Sequence, residues 1–128
     1  MKAAPGLTTG IIVRLFVRPV HLVEAAPVEN RVEDGQQLPI AGGLSVIHVP
    51  GHCAGQIALL WSQRGGVLFA ADTCSNVMGL RWSLGYEDFN EGKRSLRKLT
   101  ARNFQVACFG HGKAIMEDAD ARFYEKWA

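Results

Sequence analysis

Two histidines and one aspartate each stand just after an apolar run. His52 follows "LSVIHVPG", Asp72 ends "VLFAAD", and His111 follows "FQVACFG". Two imidazoles and one carboxylate make a ligand set that suits zinc, with iron or manganese as alternatives. Gly51 precedes His52, and Gly110 and Gly112 flank His111. Glycines there let the backbone turn sharply and aim the rings outward. Singly, each residue has a plainer reading: a histidine after a strand is most often a surface or capping group, and an aspartate a turn residue or N-cap. What joins the three is their equivalent placement, because the ends of neighbouring strands meet at one rim of a sheet. The chain has four histidines and no H-x-H pair.

The elements that must position them are legible as apolar runs between turn signals. "TGIIVRLFVRP" (Thr9 to Pro19) predicts a strand, with β-branched residues and a turn signal at each end. The stretch that follows is punctuated by Pro27, Asp34-Gly35, Pro39 and Gly42-Gly43, which predicts short strands and turns with no long helix. "LSVIHVP" (44–50), "QIALLW" (56–61) and "VLFAAD" (67–72) predict three successive strands of one meander, the middle one a central strand. "EDFNEGKRSLRKLTA" (87–101) reads as a helix with Phe89, Leu96 and Leu99 inward and Gly92 weakening its first turns. "FQVACFG" (104–110) predicts a further strand, and "EDADARFYEKWA" (117–128) a last helix whose Ala119, Phe123 and Trp127 share a face. The fold class expected is α/β of the α+β type, a mixed and largely antiparallel sheet with helices on one face.

Composition narrows the function. At 128 residues the chain is one domain by length, able to bury about 70% of its unfolded surface. A formal net charge of +2 gives no argument for nucleic acid or an anionic membrane. The basic run "KRSLRK" (93–98) reads as a solvated helix face. Cys53, Cys74 and Cys108 are odd in number and form no C-x-x-C, so a disulfide framework and a cysteine zinc knuckle are both disfavoured. Reduced thiols in a cytoplasm are the simple reading. Arg14 breaks the best early apolar run, "GIIVRLFV", which reads as neither a signal peptide nor a membrane span of roughly 18 apolar residues.

Taken in order, "VIHVPGHCAGQIALLW", "GVLFAADT" and "FGHG" resemble the metallo-β-lactamase superfamily, and most of all its glyoxalase-II-like hydrolase branch. The family pattern there reads "HTPGHTPGS", then "GDT", then "PGHG". The resemblance runs from Val32 to the C-terminus, about three quarters of the chain. It implies half of an αββα sandwich and hydrolysis of an ester, thioester, amide or phosphodiester by metal-activated water. It further implies that His52 binds a first metal, Asp72 bridges two metals and His111 binds the second. His48 matches a structural histidine, expected partly buried and hydrogen-bonded. His21 has no motif partner and reads as a surface residue.

Departures from the pattern shape the remaining expectations. The family's first motif, H-x-H-x-D-H, is absent, and with it half of the ligands. "ADT" stands for "GDT", tightening that turn, and Cys53 stands where Thr or Ser is common. The chain therefore reads as one truncated domain over 1–128, with lead-in strands over 1–31 and the family's C-terminal half over 32–128. A half sandwich leaves an apolar sheet face bare, which seeks a partner. A homodimer with stacked sheets, or a separate chain carrying the first half, would cover it. Two functional classes stay open: a metal-dependent hydrolase, and a non-catalytic binding or assembly module that keeps the motifs as structure. Arg81, Trp82 and Tyr86 are candidates to line a substrate pocket, the alternative for Trp82 and Tyr86 being that they cap the core.

Overall fold

A computed structural model describes residues 26–128. The strand expected over Thr9–Pro19 and His21 lie outside the described residues, as does most of the lead-in. Five strands and two helices follow: β1 Gln37–Leu38, β2 Leu44–His48, β3 Ile57–Trp61, β4 Val67–Phe69, α1 Phe89–Thr100, β5 Val106–Cys108 and α2 Ala119–Trp127. The strands form one sheet in sequence order, β1-β2-β3-β4-β5. The first three pairings are antiparallel and β4–β5 is parallel. That change of direction is forced by α1: a parallel neighbour needs a long crossover, and the helix is that crossover. The sheet is mixed and largely antiparallel, as the sequence predicts.

Register sorts the side chains onto two faces. Ile47 pairs with Ala58, Leu60 with Leu68, and Leu68 with Ala107. This row packs against Leu96 and Leu99 of α1 and Ala119, Phe123 and Trp127 of α2 to form the core. Both helices thus cover one face. The opposite row is Val46–Leu59–Phe69–Cys108, flanked by Leu44–Trp61–Val67–Val106. It is almost wholly apolar and takes no part in that core cluster; Val46 is buried, Phe69 is 42% exposed and the others are half-buried. Period-two alternation normally puts polar groups on an uncovered face. Here both faces are built for burial.

The helices start where their backbone donors find partners. Asp88 caps α1, its carboxylate accepting from the N–H groups of Asn90 and Glu91. Helix α2 uses the sheet instead: Ala119 donates to the Gln105 carbonyl and Asp120 to that of Phe104, which docks its first turn on the entry to β5. The basic run of α1 is partly paired, Arg94 with Glu91 and Lys98 with Asp34. Asp34 also accepts from the His48 N–H at 2.8 Å, while Lys98 donates to the His48 carbonyl at 3.1 Å. His48 is exposed, not partly buried as expected, because it ends β2 on the face away from the helices; its ring still bonds the Ala54 carbonyl at 2.9 Å.

Two stability effects follow. Phe123→Ala, which empties a fully buried site, is expected to cost about 3–5 kcal/mol in urea unfolding; a loss below about 1 kcal/mol would contradict α2 as the cover of the sheet. The hydrogen bond from Lys98, with the one from the His48 backbone, holds the Asp34 carboxyl below its usual value. Its contribution is therefore present above the unfolded-state carboxylate range and is lost as pH falls through the lowered folded value. Asp34→Asn is expected to flatten the acid limb of stability against pH by no more than about 1 kcal/mol, since the pair is largely exposed.

Candidate functional site

The Pro50–Gly51–His52 corner leaves β2 and lies across the start of α1. Gly51 has φ +139°, and a Cβ there would stand 2.4 Å from the Gly92 Cα. A Cβ on Gly92 would meet the Tyr86 ring at 2.7 Å. Gly92, expected only to weaken the helix, is thus the residue that lets the corner and Tyr86 approach it. Several hydrogen bonds hold the corner there. Asp88 N donates to the Gly51 carbonyl, Glu87 N to the His52 carbonyl, and Ala54 N to the Glu87 carboxylate, while His52 Nδ1 bonds the Gly85 carbonyl at 2.9 Å. With Nδ1 donating, Nε2 is the ring nitrogen available to a ligand.

Asp72 lies one residue beyond a strained position. Ala71 has φ 47°, a left-handed conformation in a residue with a side chain. The Ala71 carbonyl accepts from Gly110 N at 2.9 Å, which ties the Asp72 turn to the segment before His111. Gly110 has no room for a side chain, because its Cβ would fall 2.3 Å from Asp72 Oδ1. On the other side of His111, a Cβ on Gly112 would overlap the Asn76 backbone at 2.1 Å, and Asn76 N donates to the His111 carbonyl. Asp72 and His111 are consequently neighbours, with Oδ1 and Nε2 3.5 Å apart.

His52, Asp72 and His111 line one cavity of about 210 Å³, together with Ser75, Val77, Ser83 and Leu84. Strand ends therefore do bring the three together. Asp72 Oδ1 is buried and accepts no hydrogen bond. An orphaned carboxylate oxygen and an imidazole oriented through its far nitrogen have the donor chemistry of metal ligands. The number is short: among the described residues, no three His, Cys, Asp or Glu groups converge closely enough to hold a metal ion. The donor types fit a metal; the set is incomplete.

Arg81, Trp82 and Tyr86 do not line the cavity that His52, Asp72 and His111 share. Arg81 is exposed and its backbone pairs with Ser75. Trp82 packs its ring on Phe89 and Trp127, at centroid distances of 4.5 and 4.6 Å. Tyr86 is fully buried, donates its hydroxyl to the Thr73 carbonyl at 2.7 Å and stands edge-on to His52. Trp82 and Tyr86 cap the core, and Tyr86 does so between the two loops that carry His52 and Asp72. Ser75, Val77, Ser83 and Leu84 take the lining role instead. They lie in a loop without periodicity, so no sequence signal marked them.

The strain at Ala71 makes a local prediction. Ala71→Gly is expected to raise stability by about 0.5–1 kcal/mol, the left-handed penalty outweighing the entropy that glycine adds to the unfolded chain. Thermal and urea unfolding of the variant check it; a loss of stability would mean that the turn is relaxed.

No protein-family model and no curated protein matches the sequence. Solved structures do match. A metallo-β-lactamase family protein of Thermus thermophilus aligns with a TM-score of 0.65 at 26% identity, over 95% of this chain and 45% of its own. The B3 metallo-β-lactamase BLEG-1 gives 0.56 at 26% identity, over 82% and 50%. An archaeal metallo-β-lactamase superfamily protein of Sulfolobus tokodaii gives 0.61 at 20% identity, over 77% and 38%, a likeness of fold alone. The chain spans half the length of these proteins or less. With its mixed sheet, its one-sided helices and the motifs at its strand ends, the chain has the fold of these metallo-β-lactamase superfamily proteins over half of their length or less, as a C-terminal half of that fold would.

Proposed function

We propose that this chain carries one half of the active site of a metal-dependent hydrolase of the ester, thioester or phosphodiester class. The observation that carries the reading is the cavity shared by His52, Asp72 and His111, with a buried Asp72 oxygen that accepts no hydrogen bond. When bound there, the metal would polarise the scissile group and activate water. Zinc suits these donors, with iron or manganese as alternatives. The chain's own residues hold and orient. Gly85 sets the His52 ring through Nδ1, and Gly110 packs directly against the Asp72 carboxylate, which the cramped turn holds beside His111.

The missing ligands are to come from a layer packed on the apolar sheet face that the helices leave open. A separate half carrying an H-x-H-x-D-H motif suits the donor count better than a second copy of this chain, which would bring only the same three residues again. A homodimer remains the competing arrangement. Three free cysteines fit a reducing, cytoplasmic setting, and no helix among the described residues is long and apolar enough to cross a membrane.

A second reading has its own observation. No three metal-ligating groups converge among the described residues, as suits a binding or assembly module that keeps the motifs as structure. Metal content per chain, on protein purified without chelator, separates the two. The hydrolase reading expects about one zinc, iron or manganese per chain, lost in His52→Ala and in His111→Ala. It also expects thioester or phosphodiester turnover to appear only when the complementary half is added. No retained metal in excess zinc would leave the module reading. A discrete dimer mass in dilute solution would identify the second copy as the cover.

A further inference from the structure

The basic run of α1 divides between two faces. Arg94 and Lys98, one turn apart, each meet an acid, Glu91 and Asp34. Lys93 and Arg97 have the same spacing on the neighbouring face, yet form no ion pair among the described residues. They line a cleft of about 350 Å³ between α1 and α2, and Lys126 of α2 lines it with them. All three cations are exposed, and no Asp or Glu stands on the wall. The apolar part of the wall includes the half-buried Trp82 ring. A cation in the last turn of a helix is favoured by the helix dipole, which accounts for Arg97 and Lys126 singly. It does not account for Lys93, nor for three like charges gathered at one cleft without a counter-charge.

We infer that the cleft between α1 and α2 is a docking site for an acidic peptide segment, with carboxylates set around an apolar side chain. The charges are spread along the cleft. The Lys93 ammonium stands over the Phe89 ring at 5.4 Å and that of Lys126 over the Trp127 ring at 5.9 Å, two different rings that both contact Trp82. A compact single anion would need them focused on one point, whereas a peptide presents its carboxylates at intervals. Arg97 offers one carboxylate a planar fork, the lysines act as point charges, and the apolar side chain lies on Trp82. A nucleic-acid backbone would call for a longer basic stripe, and the net charge of +2 supplies no wider field for one. The cleft shares no lining residue with the cavity of His52, Asp72 and His111. The inference therefore goes beyond the hydrolase reading and holds with or without a metal at the rim.

The test is an amide NMR titration of the full chain with the end-capped peptide Gly-Glu-Glu-Leu-Glu-Gly. Its analogue with Gln for every Glu and a short oligouridylate are the comparison probes. Saturable shifts are expected at Trp82, Lys93, Arg97 and Lys126, with the Gln analogue silent. Affinity is expected to fall at least about tenfold between about 0.1 M and about 1 M salt, as the screening length shrinks from about 10 Å to about 3 Å. Arg97→Gln and Lys126→Gln are each expected to weaken binding about twofold to fivefold, and together by more than either alone. Both side chains are exposed, so the melting temperature is expected to stay unchanged. Arg64→Gln, in the turn between β3 and β4 and outside the cleft, is expected to leave binding as it is. The inference is overturned if the acidic peptide does not saturate, or if the Gln analogue binds equally well. It is also overturned if Arg64→Gln weakens binding as much as the cleft variants, which would mean diffuse charge, or if the oligouridylate binds more tightly.

Discussion

A Cβ at Gly51 would strike the Gly92 backbone, and one at Gly92 would strike the Tyr86 ring. The corner that ends β2, the first turns of α1 and a buried tyrosine therefore share one space, available only without side chains at two of the three positions. The rest of the rim follows from that contact. Because α1 sits so close, Asp88 N and Glu87 N reach the carbonyls of Gly51 and His52, and the Gly85 carbonyl reaches the His52 ring. Ser95, a turn further along, donates to the Pro50 carbonyl at 2.7 Å. Through Tyr86 and the Thr73 carbonyl the same contact extends to the Asp72 loop. One close packing thus sets the relation between two loops that come from different strand ends.

Local rules are broken mainly at this rim. Four buried side-chain atoms lack hydrogen bonds among the described residues, and three of them belong to Asp72, Thr73 and Ser83. The left-handed Ala71 adjoins them, while Ala41, Arg64 and Asp118 adopt the same conformation elsewhere. Elsewhere the polar groups are well provided for, as the caps of both helices show. Unsatisfied groups concentrated beside a cavity suit a binding site, because the groups that must meet a ligand cannot also be satisfied from within.

The sheet imposes the second constraint. Its helix-covered face is closed by α1 and α2, while the face bearing Leu44, Leu59, Trp61 and Phe69 takes no part in the core cluster. An apolar surface of this kind is stable when another layer is laid upon it. In the superfamily the fold is a sandwich, and this chain spans half or less of its solved relatives. The apolar face outside the core and the short ligand set both agree with that half-length match.

Periodicity and punctuation were enough to place β2, β3, β4, β5 and both helices to within a few residues, since each is a run of apolar side chains at a fixed spacing between turn formers. They were also enough to single out His52, Asp72 and His111, because position after a strand is a property of the local sequence. Other features depended on the packing of distant segments. Gly92 reads as a helix breaker until Gly51 and Tyr86 are seen pressing on it. Trp82 and Tyr86 read as core caps or pocket walls, with the cap favoured, until α2 is folded over them, and Ser83 is one small polar residue in an aperiodic loop. The amino-acid order determined which residues stand at strand ends and which faces are apolar. Only the tertiary structure decided which of them share a cavity, because burial and distance between segments far apart in the chain are set by packing and leave no local pattern.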